Sequence, residues 1–261
     1  MKIARWVSLC LLVDGAAWAA APDERSPGVS AKSEQEGVID PAADVALKRM
    51  SEYLAGLKSF RVETTTVDER VTAEGQKVQD VKESQVVVRR PNGFWVDRVG
   101  PLGHVIFRYD GQQFSVFLVD RGQYAITKAP GDLDAAIDDA RDRLGVDAPG
   151  GDLMVRAPYE ALIDGVRVGR YVGLEPMDGG LAHHLAMTEK DVDWQIWIKD
   201  GPEAVPLRYV ITSKDVPGHP QFTIDLRKWQ PDAPLSKESF VFTPPAKANR
   251  VEMSELLATK R

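Results

Sequence analysis

From Phe60 onward the apolar residues of this chain recur at every second position, and turn residues interrupt the pattern at short intervals. A period of two puts neighbouring side chains on opposite faces of an extended chain, and short turns between such runs join them antiparallel. The chain is thereby committed to a sheet of consecutive hairpins. Phe60, Val62, Thr64 and Thr66 alternate with Arg61, Glu63 and Thr65, and Glu74-Gly75 turns the chain into a strand that reaches Val86-Val87-Val88. Arg90-Pro91-Asn92-Gly93 stops that strand, and Phe94 and Val96 lead the next. Residues 104–109 and 113–119 flank Asp110-Gly111, a dipeptide whose backbone preference suits a two-residue hairpin turn. Arg121-Gly122 then returns the chain into 124–128. In the 113–119 run Phe114, Val116, Phe117, Leu118 and Val119 are nearly continuous, which predicts cover on both faces.

Helical spacing brackets this first set of strands. Asp40-Pro41 reads as an N-cap followed by a first-turn proline, and Leu47, Met50, Leu54 and Leu57 repeat at helical intervals, predicting a helix over 41–57. Asp132 is placed to cap a second helix with Leu133, Ile137, Ala140 and Leu144 on one stripe, ended by Gly145. Pro149-Gly150-Gly151 then forms a loop, Asp152 starts a short helical stretch, and Pro158 restarts it before Ile163. Strand signals resume over 166–174, 181–188, 194–198, 207–213 and 222–229, with 240–242 as a possible last edge strand and 252–261 as a loose helix or disordered tail. One helix, about six strands, helices and about five more strands describe an α+β domain: one strongly curved antiparallel sheet with helices covering its concave side.

The N-terminus sets the compartment. Lys2 and Arg5, an apolar run from Trp6 to Val13 and small residues from Ala16 to Ala21 have the layout of a secretory signal peptide over 1–20, with Asp14 as its one irregularity. Ala17-Trp18-Ala19 favours a cut just after Ala19 or Ala20, so periplasmic location is expected, with no transmembrane span after cleavage. Cys10 is the only cysteine, lies inside this segment, and follows Leu9 rather than the small residue that lipidation requires. Residues 21–39 are polar and read as a flexible leader to a domain at 40–251. That domain has no thiol, so its stability must come from a conventional core. Removing Lys2, Arg5 and Asp14 shifts the formal charge from −6 to −7. Without a basic cluster, an acidic chain of this kind is unsuited to nucleic acid.

No pattern in the sequence carries catalysis. A phosphate-binding glycine loop, a Gly-x-Ser-x-Gly elbow and a zinc-binding His-Glu-x-x-His are all missing, so no enzymatic activity and no cofactor are expected. Of the four histidines, His104, His183, His184 and His219, the adjacent pair in a strand points to opposite faces and cannot share a metal. Asp134, Asp138 and Asp142 share a helix face but are interleaved with Arg141 and Arg143, which reads as a solvated surface.

Apolar and aromatic residues are the remaining signal. Phe94, Phe107, Phe114, Leu185, Met187, Trp194, Ile196, Tyr209 and Ile211 fall on strand positions that alternate with polar ones. They are the candidate lining of an apolar cavity between the sheet and its helices, since a strongly curved sheet is not always filled by its own side chains. A plain core role stays open for each of them.

Several segments stand in an order that is itself recognisable: Tyr109-Asp110-Gly111, Tyr124, Trp194-Gln195-Ile196-Trp197-Ile198, Pro206-Leu207-Arg208-Tyr209-Val210-Ile211-Thr212, Gly218-His219-Pro220-Gln221, Trp229 and Phe242-Thr243-Pro244-Pro245. In these segments, over about Asp40 to Val251, the chain resembles a bacterial family of predicted periplasmic proteins of unknown function, which in turn looks related to the outer-membrane lipoprotein carriers and their sensor relatives. The resemblance implies an unclosed β-barrel, capped by helices, that holds acyl chains in an apolar hollow. The expected function is a non-enzymatic binding or carrier protein for an acyl chain, lipid or lipoprotein. The competing expectation is a cell-envelope sensor or protein-interaction module, with a filled core and an envelope protein as partner.

Overall fold

Asp40 caps the first helix as the sequence requires. Its carboxylate accepts a hydrogen bond from the Ala42 amide at 2.8 Å, satisfying a donor that the first helical turn leaves without a partner. Helix α1 (Pro41–Gly56) follows and buries Leu47, Met50 and Leu54. The computed structural model describes residues 38–129, 131–144 and 150–258. The signal segment, the leader up to residue 37, the expected helix stop at Gly145 and the last three residues of the tail lie outside them.

Eleven long strands follow α1. The first six are β2 (Ser59–Val71), β3 (Lys77–Arg89), β4 (Gly93–Gly100), β5 (Gly103–Tyr109), β6 (Gln113–Leu118) and β7 (Gln123–Lys128). The other five are β8 (Val168–Met177), β9 (Gly180–Thr188), β10 (Val192–Lys199), β11 (Pro206–Ser213) and β12 (Gln221–Pro231). The eleven expected strands are therefore present, and the additional pairings are two-residue parallel ones at the edges. Val38–Ile39, the last two residues of the stretch read as leader, form β1 and pair with Val168 and Gly169. At the opposite edge β13 (Asn249–Arg250) pairs with Gln123 and Tyr124.

All the described strands belong to one sheet in the order β1-β8-β9-β10-β11-β12-β2-β3-β4-β5-β6-β7-β13. Two runs of hairpins are thus joined at the centre by β12 and β2, whose pairing runs from Phe222 opposite Asp68 to Pro231 opposite Phe60. The two ends of the sheet are not paired with each other, so the sheet is a strongly curved, unclosed barrel.

The concave side is roofed by helices. α1 lies on β8 and β10 and packs against α3 (Pro158–Ile163). α2 (Leu133–Leu144), capped by Asp132 through the Ala135 amide at 2.8 Å, contributes Leu133, Ala136 and Ile137 to the same core. Arg90 ties the roof to the sheet, donating to the Met154 carbonyl at 2.7 Å and to the Leu54 carbonyl at 3.5 Å.

At the C-terminus one expectation changes and one stated alternative is selected. Residues 240–242 are not an edge strand: a short 3-10 turn (Lys237–Phe240) is followed by an extended arm laid over the convex face of β5–β7. Phe242 packs on Phe117 and Tyr124, with ring centroids 5.8 and 5.4 Å apart, and Arg108 donates to the Val241 carbonyl at 3.2 Å. Prolines at 234, 244 and 245 remove amide donors that a ladder would need. This arm is the second cover that the continuous apolar run of β6 predicted. In the stretch read as a loose tail, residues Met253–Ala258 form α4, which packs on β7 and buries Met253 and Leu256.

Candidate ligand-binding interior

Strand register gathers the nine candidate residues onto the concave face. Leu185, Ile196 and Tyr209 form one row across β9, β10 and β11, and Met187, Trp194 and Ile211 form the next. In the other half of the sheet, Phe94, Tyr109 and Phe114 make one row across β4, β5 and β6, and Val96, Phe107 and Val116 make another. Eight of the nine belong to the same buried apolar cluster, and Phe94 packs against it. They differ in how completely they are covered. Leu185, Met187, Trp194, Ile196 and Tyr209 are each 1% exposed or less, whereas Phe94, with its inner-face neighbours Val86, Val96 and Leu118, keeps partial exposure.

Two buried acids stand behind the filled half. Asp152, in the 3-10 turn Gly151–Leu153, is 3% exposed, and Glu189, just past the end of β9, is 4% exposed. Glu189 accepts from the Trp194 indole at 2.9 Å. Burial pushes its carboxyl up to about 7 against the lowering effect of that hydrogen bond, and the negative charges of Asp164 and Asp152 add to the rise. Burial likewise pushes Asp152 up to about 6, opposed by Arg141. The Tyr209 hydroxyl is fully buried, has no hydrogen-bond partner among the described residues, and is driven well above the usual phenol range by burial, with smaller contributions from the same two acids.

Sequence reasoning passed over a cation on the other half. Arg98 is two and four residues beyond Val96 and Phe94 on β4, so it shares their inner face, between Ser84 of β3 and Val105 of β5. Its guanidinium carbon lies 4.9 Å from the centroid of the Phe107 ring. The alternation of β4 was the signal that marks it, because the same parity that made Phe94 a candidate assigns Arg98 to the apolar side.

The remaining polar candidates have ordinary partners. His104 pairs with Asp97 at 2.7 Å, His183 bridges the Tyr171 hydroxyl and Asp200, and His184 stacks on Trp197 while bonding Glu175 and Gln195. Asp138 pairs with Arg141 at 3.4 Å, and Asp134 accepts from the Arg156 amide at 3.0 Å. A cavity of about 260 Å³ opens at the edge of the sheet beside the β8–β9 and β10–β11 turns, lined by Leu181, Lys199, Leu207, Lys228 and Trp229 among others; the nine candidates are not part of its wall. No helix among the described residues is long and apolar enough to cross a membrane.

This architecture is similar to that of several solved proteins. An uncharacterized conserved protein of Thermus thermophilus is 15% identical at a TM-score of 0.47, the match covering 81% of this chain and 99% of that one. The Mycobacterium tuberculosis lipoprotein LppX is 20% identical at a TM-score of 0.47, covering 76% and 98%. A LolA-superfamily protein of Nitrosomonas europaea is 14% identical at a TM-score of 0.41, covering 77% and 97%. No curated protein matches the chain in sequence. A family model described as "Predicted periplasmic protein (DUF2092)" matches residues 43–254, which agrees with the periplasmic location expected from the sequence, and the chain belongs to that family.

Proposed function

We propose that the protein is a non-enzymatic periplasmic binding or carrier protein that takes an acyl chain, a lipid or the acyl groups of a lipoprotein against the concave face of its sheet. The observation that supports this reading is the incomplete cover of Val86, Phe94, Val96 and Leu118, which are apolar, face inward and sit on the side that the helices roof. Apolar surface left partly wet inside a roofed sheet gains most from an apolar guest. Ten buried methylenes contribute about 8 kcal/mol at roughly 0.8 each, whereas immobilising a ligand costs at least about 4 kcal/mol. A short tail alone is therefore held weakly, and firm retention needs a longer chain or a second anchor.

A protein-interaction module with a filled core is the second reading, favoured by the packing of β9–β11, where the inner face is closed. Uptake of a neutral naphthylamine probe by delipidated mature protein separates the two. Saturable fluorescence enhancement, reversed by phospholipid or palmitate, is the expected result. Absence of any uptake, together with native mass spectra of periplasm-purified protein that show only the bare polypeptide, overturns the carrier reading.

A further inference from the structure

Arg98 is out of place on purely structural grounds. Its row-mates on the concave face are Ser84, Val105 and, beyond β5, Leu118, and its nearest aromatic neighbour is Phe107. A guanidinium remains charged at any physiological pH, and taking a charge out of water is costly unless an acceptor replaces the lost hydration. Other partly buried cations of the molecule each have at least one protein acceptor, although the Nε atoms of Arg90 and Arg108 lack one: Arg90 bonds two carbonyls, Arg108 bonds the carbonyls of Ser239 and Val241, Arg208 pairs with Asp225, and Lys82 pairs with Asp68. Among the described residues no carboxylate, carbonyl or hydroxyl bonds Arg98. Contact with the Phe107 face offsets part of the desolvation, by about 0.5–2 kcal/mol, but supplies no hydrogen-bond acceptor, and with none among the described residues the half-buried guanidinium has only water to accept from it. Burial accordingly depresses its pKa from the usual guanidinium value, and no neighbouring charge works in the other direction.

Position supplies the rest. Along β4 the inner-face sequence runs Phe94, Val96, Arg98 and then the Gly100 end of the strand. The cation therefore sits near the β4–β5 turn, and partly covered apolar side chains continue from it on the same face for about 13 Å, at roughly 3.3 Å per residue. One fixed positive charge at the end of an apolar track matches a molecule with one oxyanion at the end of an apolar tail.

We propose that Arg98 anchors the anionic head of the ligand, a carboxylate or phosphate, while its acyl tail lies along Val96 and Phe94. This inference rests on the binding function proposed above and narrows its ligand to anionic amphiphiles. The fork of guanidinium donors suits either head by paired, charge-assisted hydrogen bonds.

The test uses three ligands with the same sixteen-carbon tail: palmitate, hexadecyl phosphate and hexadecanol. Each competes, below its aggregation concentration, with the neutral naphthylamine probe on delipidated mature protein. At least one of the two anions is expected to bind about tenfold or more tightly than hexadecanol, the difference made by one charge-assisted contact of about 1.4 kcal/mol. Preference for palmitate alone assigns a carboxylate head, and preference for hexadecyl phosphate alone a phosphate head. In R98Q the anion advantage should fall to within about twofold while hexadecanol and the probe bind as before, and R98K should keep most of it. Equal affinity of all three ligands for the wild-type protein overturns the anchor and leaves the carrier function standing, and this contrast does not depend on any variant folding. A uniform loss of all three in R98Q, with probe uptake intact, also overturns it. Failure of all three ligands and of the probe to bind the wild type removes the carrier function and the anchor together.

Discussion

The two halves of the sheet are built from the same hairpins and roofed on the same side, yet they treat that side differently. Across β9–β11 the inner face is closed: α1 lies directly on β8 and β10, and Leu185, Met187, Trp194, Ile196 and Tyr209 are sealed. Across β3–β6 the roof is held less directly, because α2 packs on α4 and α4 packs on β7, and Val86, Phe94, Val96 and Leu118 stay partly exposed. Polar groups follow the same division. Behind the closed half are two acids whose pKa values are raised by burial, and on the other half is a cation without an acceptor among the described residues. A single curved sheet thus carries an inner face that is sealed across β9–β11, whereas across β3–β6 Val105, Phe107, Tyr109, Phe114 and Val116 are buried but Val86, Phe94, Val96 and Leu118 are incompletely covered.

Truncation offers the sharpest way to break this comparison. Trp194→Ala in the closed half should cost about 3–5 kcal/mol through lost transfer energy and a cavity that the sealed surroundings cannot collapse. Phe94→Ala should cost distinctly less, because the ring is already partly exposed, while it weakens probe uptake. Urea unfolding midpoints of the two variants check this, and equal losses would erase the distinction between the halves.

Acidity gives the next largest effect. Glu189 has a folded pKa of about 7 against an ordinary 4.5, so the native state holds a proton that the unfolded chain has already released in between. Stability conferred by that proton is full below about pH 4.5, declines as pH rises to about 7 and is level above, a loss on the order of 3 kcal/mol at about 1.4 per pH unit. Asp152 acts with the same sign between 3.8 and about 6. Glu189→Gln should flatten the decline, and unfolding free energies measured from pH 4 to pH 8 in both proteins read it out. A stability that instead rises through this window would show that the closed half is wetter than its packing indicates.

The smallest effect is a gain. Tyr209→Phe removes a buried hydroxyl with no partner among the described residues, so it should stabilise the protein by about 1 kcal/mol. A loss of similar size in thermal melts would show that the hydroxyl is bonded in solution and that this corner of the interior admits water.

Much of the fold is legible in residue spacing. Helix α1 begins at its Asp40 cap and ends one residue short of the expected 57, and each long strand falls within a few residues of its alternating run. The residues that escape are those whose signal is not local. Two-residue strands such as β1 and β13 are too short to carry a period, and the arm carrying Phe242 has aromatic residues suited to a strand but prolines that send it over the convex face. Within the interior, periodicity placed all nine candidates on the covered side, and it contained Arg98 as well, on the parity of Phe94 and Val96. Glu189 left no comparable trace, since its surroundings are set by the Trp194 indole and by the charges of Asp164 and of Asp152, the latter in a 3-10 turn 37 positions earlier in the chain.

Hydrophobic period, turn dipeptides and capping residues by themselves determined the hairpins, the helices and the face each side chain occupies, because each is decided by neighbours within a few positions. Tertiary structure alone decided which strands of the concave face are sealed, which acids have pKa values raised by burial and which cation lacks an acceptor among the described residues. Those outcomes depend on what lies opposite a side chain after β12 has paired with β2 and the helices have settled on the sheet, and residues far apart in sequence supply that environment.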